Sequence, residues 1–224
     1  MHWTPYGPDA LLFTFASRVG EDAFRLGRAI TAELQRDPPP GLVEFVPAFT
    51  TLLLEFDPEV VATPARLGPA LEQRFLNAAA ITLPEPPVKE IPVTYDGEDL
   101  DAVARAHQLT VAEACRLHCE PIYKVHMLGF APGFPYLGEL HPRLHTPRLA
   151  TPRPRVRAGS VAIGGEHTGI YPVDGPGGWN IIGHTPLRMF DPARGAPNGP
   201  DEAMFLLQPG DRVKFVPNEP PASK

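Results

Sequence analysis

The chain holds 224 residues, 43% hydrophobic and 21% charged, which fits a folded protein of one large or two small domains. A net charge of −6 speaks against nucleic acid as a partner, because phosphate binding needs a basic surface. No apolar run approaches the roughly 20 residues that cross a bilayer, and the start, Met1-His-Trp-Thr-Pro5, lacks the basic segment and cleavage site of a signal peptide, so no membrane partner is expected and the cytoplasm is the expected location.

Ala10–Phe15 predicts a short apolar strand. Leu26, Ile30 and Leu34 recur at i,i+4 and predict a helix over Glu21–Arg36, which Pro38-Pro-Pro-Gly41 stops. Leu42–Val46 and Thr50–Phe56 read as an antiparallel hairpin, because the link around Pro47 is short. A second helix is expected near Pro69–Ala79, with Leu71, Phe75 and Ala78 facing inward and Pro69 at the first helical position. The order βαββα becomes the ferredoxin-like βαββαβ plan with one more strand. Leu83–Pro87 reads as a stiff linker, and the strand expected at Ile91–Tyr95 either completes the first domain or opens the second. The boundaries adopted are 1–86, 87–217 and a frayed tail at 218–224.

Asp96–Cys119 predicts two short helices, the first with Leu100, Val103, Ala104 and His107 on one stripe. Thr110 and Glu113 form a capping box for the second, whose inner face carries Val111, Ala114, Cys115 and His118. The pair superficially resembles a helix-turn-helix, but five acidic residues against Arg105 and Arg116 argue against DNA. His118 is expected to be a packed histidine. Cys115 and Cys119, spaced i,i+4, are poorly placed for a disulfide and lack further ligands at metal-site spacing, so reduced thiols and no metal are expected. From Ile122 onward the chain predicts short strands without helices: Val161–Ile163, Gly169–Tyr171, Asn180–Ile182, Leu187–Phe190 and, after a turn at Gln208–Asp211, Arg212–Val216. Many short strands suggest a barrel.

Standard catalytic signatures are missing from the sequence. It has no P-loop and no nucleophile elbow around Ser160, and His141-Pro-Arg-Leu-His145 lacks the glutamate of a zincin. No residue is assigned acid–base work. The stretch 126–190 is instead rich in glycine and proline with aromatic and branched residues between them. His126, Arg153, Arg155, Arg157, Ser160, Thr168, Tyr171 and Trp179 are the polar and amphipathic candidates to line a substrate-binding or inter-subunit site, with Phe134 as an apolar wall. Arginine suits carboxylate or phosphate recognition through its bidentate fork. Gly133, Gly164, Gly165, Gly177 and Gly178 permit either positive φ or close approach to the backbone. For any single one of these residues a tight turn or a core role is the favoured reading; for the group as a whole it is a ligand or partner surface.

Several segments together resemble a known family. They are Leu128-Gly-Phe-Ala-Pro-Gly-Phe-Pro-Tyr-Leu-Gly138, Thr146-Pro-Arg148, Pro152-Arg153, Val156–Gly164, Thr168–Pro172 and Pro176–Pro186, with Ala10–Leu12 and Val46–Leu53 in the N-terminal third. They are similar to the family of B-type subunits of bacterial 5-oxoprolinase, also called the KipI or allophanate hydrolase subunit 1 family. The resemblance implies an α+β protein with an N-terminal ferredoxin-like domain and a C-terminal cyclophilin-like β-barrel. It implies a hydrolase complex with 5-oxoprolinase subunits A and C that opens 5-oxo-L-proline to L-glutamate using ATP, with this chain inactive alone and holding no tightly bound cofactor. One family member instead inhibits a sensor histidine kinase, which gives the alternative function. A prolyl isomerase is disfavoured, because the motifs are not those of true cyclophilins. Two features depart from the pattern: Gly7 is followed by Pro8, with the acid one place later at Asp9, and the two cysteines lie outside it.

Overall fold

A computed structural model describes residues 1–195 and 201–218, and the chain divides into two compact units, Met1–Glu85 and Pro86 onward. In the first, β1 (His2–Pro5), β2 (Ala10–Thr14), β3 (Leu42–Pro47) and β4 (Thr51–Phe56) form an antiparallel sheet in the order β1-β2-β4-β3. Helices α1 (Glu21–Arg36) and α2 (Gly68–Ala78) supply the other layer. Strand alternation sends Leu11 and Phe13 of β2 and Leu52, Leu54 and Phe56 of β4 to one face, where they are almost fully buried with Ile30, Leu34, Leu71 and Phe75. Each such side chain contributes about 1.5–3 kcal/mol by leaving water. Phe13 and Phe75 meet edge to face at 5.0 Å. Glu33 accepts hydrogen bonds from Arg36 and, across the helices, from Arg74 Nε at 2.9 Å, and those two guanidinium groups hold its carboxyl below the usual range.

Strand β1 was not foreseen. Its sequence, His-Trp-Thr-Pro, has no apolar alternation, and Pro5 suits an edge. Trp3 packs against the start of α2, where a Cβ on Gly68 would lie 2.3 Å from the indole. The edge beside β2 is thereby filled from the N-terminus, and the strand expected at Ile91–Tyr95, observed as β5 (Val88–Val93), opens the second unit.

The second unit continues with α3 (Leu100–Ala106), α4 (Val111–Cys119), β6 (Tyr123–Leu128), β7 (Pro135–Gly138), β8 (Arg153–Val156), β9 (Ser160–Gly164), β10 (His167–Ile170), β11 (Gly175–Gly177), β12 (Asn180–His184) and β13 (Arg212–Pro217). Seven strands order as β12-β9-β10-β7-β6-β13-β5. The two ends of this sheet meet: Thr94, just past β5, and His184 of β12 exchange two backbone hydrogen bonds of 2.9 Å. The sheet is therefore a nearly closed barrel. Strands β8 and β11 pair separately.

The barrel interior is mostly aliphatic, with Val125, Leu137, Val161, Ile163, Ile170, Ile182 and Val213 beside the aromatic Tyr123 and Phe215, and α3 and α4 add Leu100, Val103 and Leu117. The capping box forms as expected: Thr110 Oγ1 accepts from Glu113 N at 3.1 Å, and Thr110 N donates to Glu113 Oε2 at 2.8 Å. The expected strand at Leu187–Phe190 does not form. Leu187 N donates to Thr185 Oγ1 in a local turn, Met189 enters the core, and only Phe190 makes an isolated bridge, to Phe205. Residues 219–224 of the expected frayed tail lie outside the described residues. No described helix is long and apolar enough to cross a membrane.

Candidate functional site

All five residues of β9 are buried, so the strand is covered on both faces and shows no alternation. One cover is the aliphatic interior. The other is a separate cluster around Ala162 and Ile181 built from Phe134, Val156, Tyr171 and Trp179, with Tyr136 and Ala131 against it. Phe134 is its hub. Its ring centroid lies 5.5 Å from Phe130, 5.2 Å from Tyr136, 5.2 Å from Tyr171 and 5.4 Å from Trp179, all edge to face. Such pairs add about 0.5–1.5 kcal/mol each beyond the area they bury.

Glycines seat these rings. A Cβ on Gly164 would fall 2.7 Å from the Trp179 indole, and one on Gly177 would fall 2.2 Å from the Tyr171 hydroxyl. Gly169 stands in the same relation to Phe134, and Gly138 to the His126 imidazole. At Gly177 and Gly164 the close approach foreseen from sequence is thus made by a side chain of the same unit. Burial raises the Tyr171 phenol above its usual range, opposed by a backbone hydrogen bond with Trp179.

The loop 129–134, between β6 and β7, closes through Gly129 N donating to Phe134 O at 3.1 Å and Phe134 N to Ala131 O at 3.0 Å. Its Phe130 has φ +72°, a left-handed conformation that costs a non-glycine residue about 1–2 kcal/mol, and is 64% exposed. Beside it an open depression of about 380 Å³ is lined by Leu128–Gly133 and Phe205. Phe130 is thus a strained, solvent-facing aromatic that itself lines the depression.

The predicted site residues separate into groups. Phe134, Tyr171, Gly177 and Trp179 come together in the aromatic cluster, with Gly178 at its rim 3.6 Å, by an added Cβ, from Pro152. Arg153 is committed to protein partners: Nη2 donates to both oxygens of Asp99 at 2.7 and 2.9 Å, and Nε pairs with Glu98 at 2.8 Å. Asp99 also accepts from Ile181 N at 2.7 Å, so the pair fastens β8 to β12 and to the start of α3. Arg155 pairs with Asp174, whose carboxyl is held down first by the Ala158 amide and then by Arg155. Arg157 is exposed nearby. Ser160 is buried at the start of β9, and His126 rests on Gly138.

Thr168 belongs to the interior. Its hydroxyl donates to Ala162 O at 3.0 Å and therefore accepts from His118 Nε2 at 2.9 Å. With Nε2 carrying the proton, Nδ1 accepts from the Tyr95 hydroxyl at 2.6 Å, which in turn accepts from Cys119 Sγ at 3.1 Å. Burial pushes the His118 pKa down to about 3 and that of the Cys115 thiol up to about 12. This neutral chain ties α4 to β10. His118 is a packed histidine, and both cysteines are free thiols. Among the described residues no three His, Cys, Asp or Glu side chains converge as metal ligands.

Sequence reasoning passed over Arg148, whose guanidinium lies over the Trp179 ring at 5.5 Å from its centroid. It also passed over Phe130 and Tyr136. All three sit inside the motifs that carry the resemblance, but only the fold brings Arg148 to Trp179.

The sequence model of the family described as "Carboxyltransferase domain, subdomain C and D" matches residues 1–199. The B-type subunit of 5-oxoprolinase from Bacillus subtilis is 38% identical over 222 residues, 94% of this chain and 90% of that protein. The chain belongs to this family. The B-type 5-oxoprolinase subunit of Escherichia coli O157:H7 is 46% identical over 187 residues, 80% of each chain. Among solved structures, TTHA0988 superimposes with a TM-score of 0.80 at 42% identity over 96% of this chain, which spans 41% of that longer chain.

Proposed function

We propose that this chain is the B-type subunit of an ATP-dependent 5-oxoprolinase, a cyclic-amide hydrolase that opens 5-oxo-L-proline to L-glutamate. The observation that carries it is the 38% identity to a B-type 5-oxoprolinase subunit along nearly the full length of both chains. In this reading residues 1–86 are a ferredoxin-like domain and 87–217 a cyclophilin-like barrel. Its partners are subunits A and C, the complex works in the cytoplasm, and the chain is inactive alone. No observation favours a sensor-kinase inhibitor.

A five-membered lactam is a resonance-stabilised amide, and phosphorylation of its carbonyl oxygen would turn it into an electrophile that water can open. ATP belongs to the complex. The start of α1 is unsuited to phosphate, since its first turn carries Glu21 and Asp22. The chain's own contribution is a shaped surface: the aromatic cluster, the Phe130 loop and the depression beside it.

The test is reconstitution. The chain is combined with its A and C partners, and glutamate formed from 5-oxo-L-proline and ATP is measured with each chain omitted in turn. Activity only with all three is the expected result. An assembled three-chain complex that forms no glutamate would sink the proposal.

A further inference from the structure

We propose that Arg148 is a carboxylate-recognising residue, held on the face of Trp179 to bind a small anionic ligand; assigning 5-oxo-L-proline as that ligand rests on the oxoprolinase reading. Four observations support it.

The first is the seating of the stack. Trp179 lies against the backbone of Gly164, which a Cβ would disrupt at 2.7 Å, and Arg148 stands over the same indole. The second is the fixing of the backbone around Arg148. Gly165 N donates to Thr146 O at 2.7 Å, Asn180 Nδ2 to Pro147 O at 2.9 Å and Leu149 N to Gly178 O at 2.7 Å. An exposed side chain is therefore carried on a segment tied on both sides, to the residue just past β9, to β12 and to the turn before Trp179.

The third is charge. Arg153, Arg155 and Arg194 each face a carboxylate, whereas among the described residues Arg148 is in no ion pair. Burial is the main influence on both Tyr171 and His167, and the Arg148 cation lies near enough to act on each beside it. The fourth is chemistry. A guanidinium stacked on an aromatic face keeps its N–H edge free, and that edge matches the two oxygens of a carboxylate. 5-Oxo-L-proline is a small ring bearing one carboxylate, of the class this edge accepts.

Trp179 is its own reporter. The chain has two tryptophans, and Trp3→Phe leaves Trp179 as the only one. The full-length Trp3→Phe chain is titrated with 5-oxo-L-proline and with its carboxamide while Trp179 emission is followed. The acid should give a saturable change and the carboxamide none. Adding Arg148→Lys should weaken binding, and Arg148→Gln should weaken it by roughly 10–100-fold, the loss of a charge-assisted bidentate contact. No saturable change, an equal response to the carboxamide, or persistence in Arg148→Gln would overturn the proposal. Melting curves of the variants check that each remains folded. In the three-chain complex, Arg148→Gln should raise KM for 5-oxo-L-proline with kcat little changed. A complex without oxoprolinase activity alongside an intact titration sinks the oxoprolinase reading and leaves the carboxylate site standing; an active complex in which neither KM nor the titration responds to Arg148→Gln does the reverse.

Discussion

The N-terminal unit and the outer cluster of the second unit bury aromatic rings in opposite ways. In the first, Phe13, Phe56 and Phe75 sit among leucines and an isoleucine delivered by strand alternation and a helix stripe. In the second, Trp179, Tyr171 and Phe134 sit on glycines, each ring filling the place where a neighbour's Cβ would be. The first is a volume that many aliphatic combinations fill. The second is a set of shapes, and an added methyl has nowhere to go. A fixed shape that ends in exposed groups, Phe130 and Arg148, is suited to recognition.

The predictions set one core against the other. The largest expected effect is in the N-terminal core, where Leu54→Ala should cost about 2–5 kcal/mol by urea unfolding, with the loss eased by Leu54→Ile. In the outer cluster the sign of the volume change reverses: Gly177→Ala adds one methyl and should cost about 1–3 kcal/mol. A double-mutant cycle with Tyr171→Ala should then give a coupling above about 0.5 kcal/mol, since the methyl and the ring compete for one space. Additivity there would break the comparison.

Next in size, taken per pH unit, is pH dependence from the interior. His118 has a folded pKa of about 3, below its usual value, so the unfolded chain takes up a proton that the folded chain refuses. Its contribution to stability is complete above the unfolded pKa and falls as pH drops from there toward 3. The expected slope is roughly 1.4 kcal/mol per pH unit. His118→Asn should be less stable at neutral pH and should lose this part of the slope. Smallest is the exposed pair: Arg155→Ala, separating it from Asp174, should leave the urea midpoint almost unchanged, and any shift should shrink at high salt.

Helices α1, α2 and α4 were legible because their apolar spacing and, for α4, the Thr110–Glu113 box are local signals. The strands β2 and β4 were legible for the same reason. Strand β1 was not, because its place is set by Trp3 packing on Gly68, far along the chain. The barrel strands were only partly legible, since β9 is covered on both faces and its two neighbours β10 and β12 are glycine-bearing. The Leu187–Phe190 pattern looked like a strand, yet a side-chain turn at Thr185 wins there. At the candidate site the aromatics and glycines were legible as a group. What each touches was not: Arg153 sits on Asp99 and Thr168 on His118, both partners lying far away in sequence.

On the reading proposed above, the ring-on-glycine cluster, and not the N-terminal core, shapes the functional face. The most direct test of this claim is glutamate formation by the three-chain complex carrying Trp179→Ala or Leu54→Ala, at a temperature where unfolding curves show both variants folded. Trp179→Ala should lose more than about tenfold in activity, over about 1.4 kcal/mol of transition-state stabilisation, while Leu54→Ala stays within about twofold of the unmodified complex. Equal activity of the two folded variants would contradict the claim.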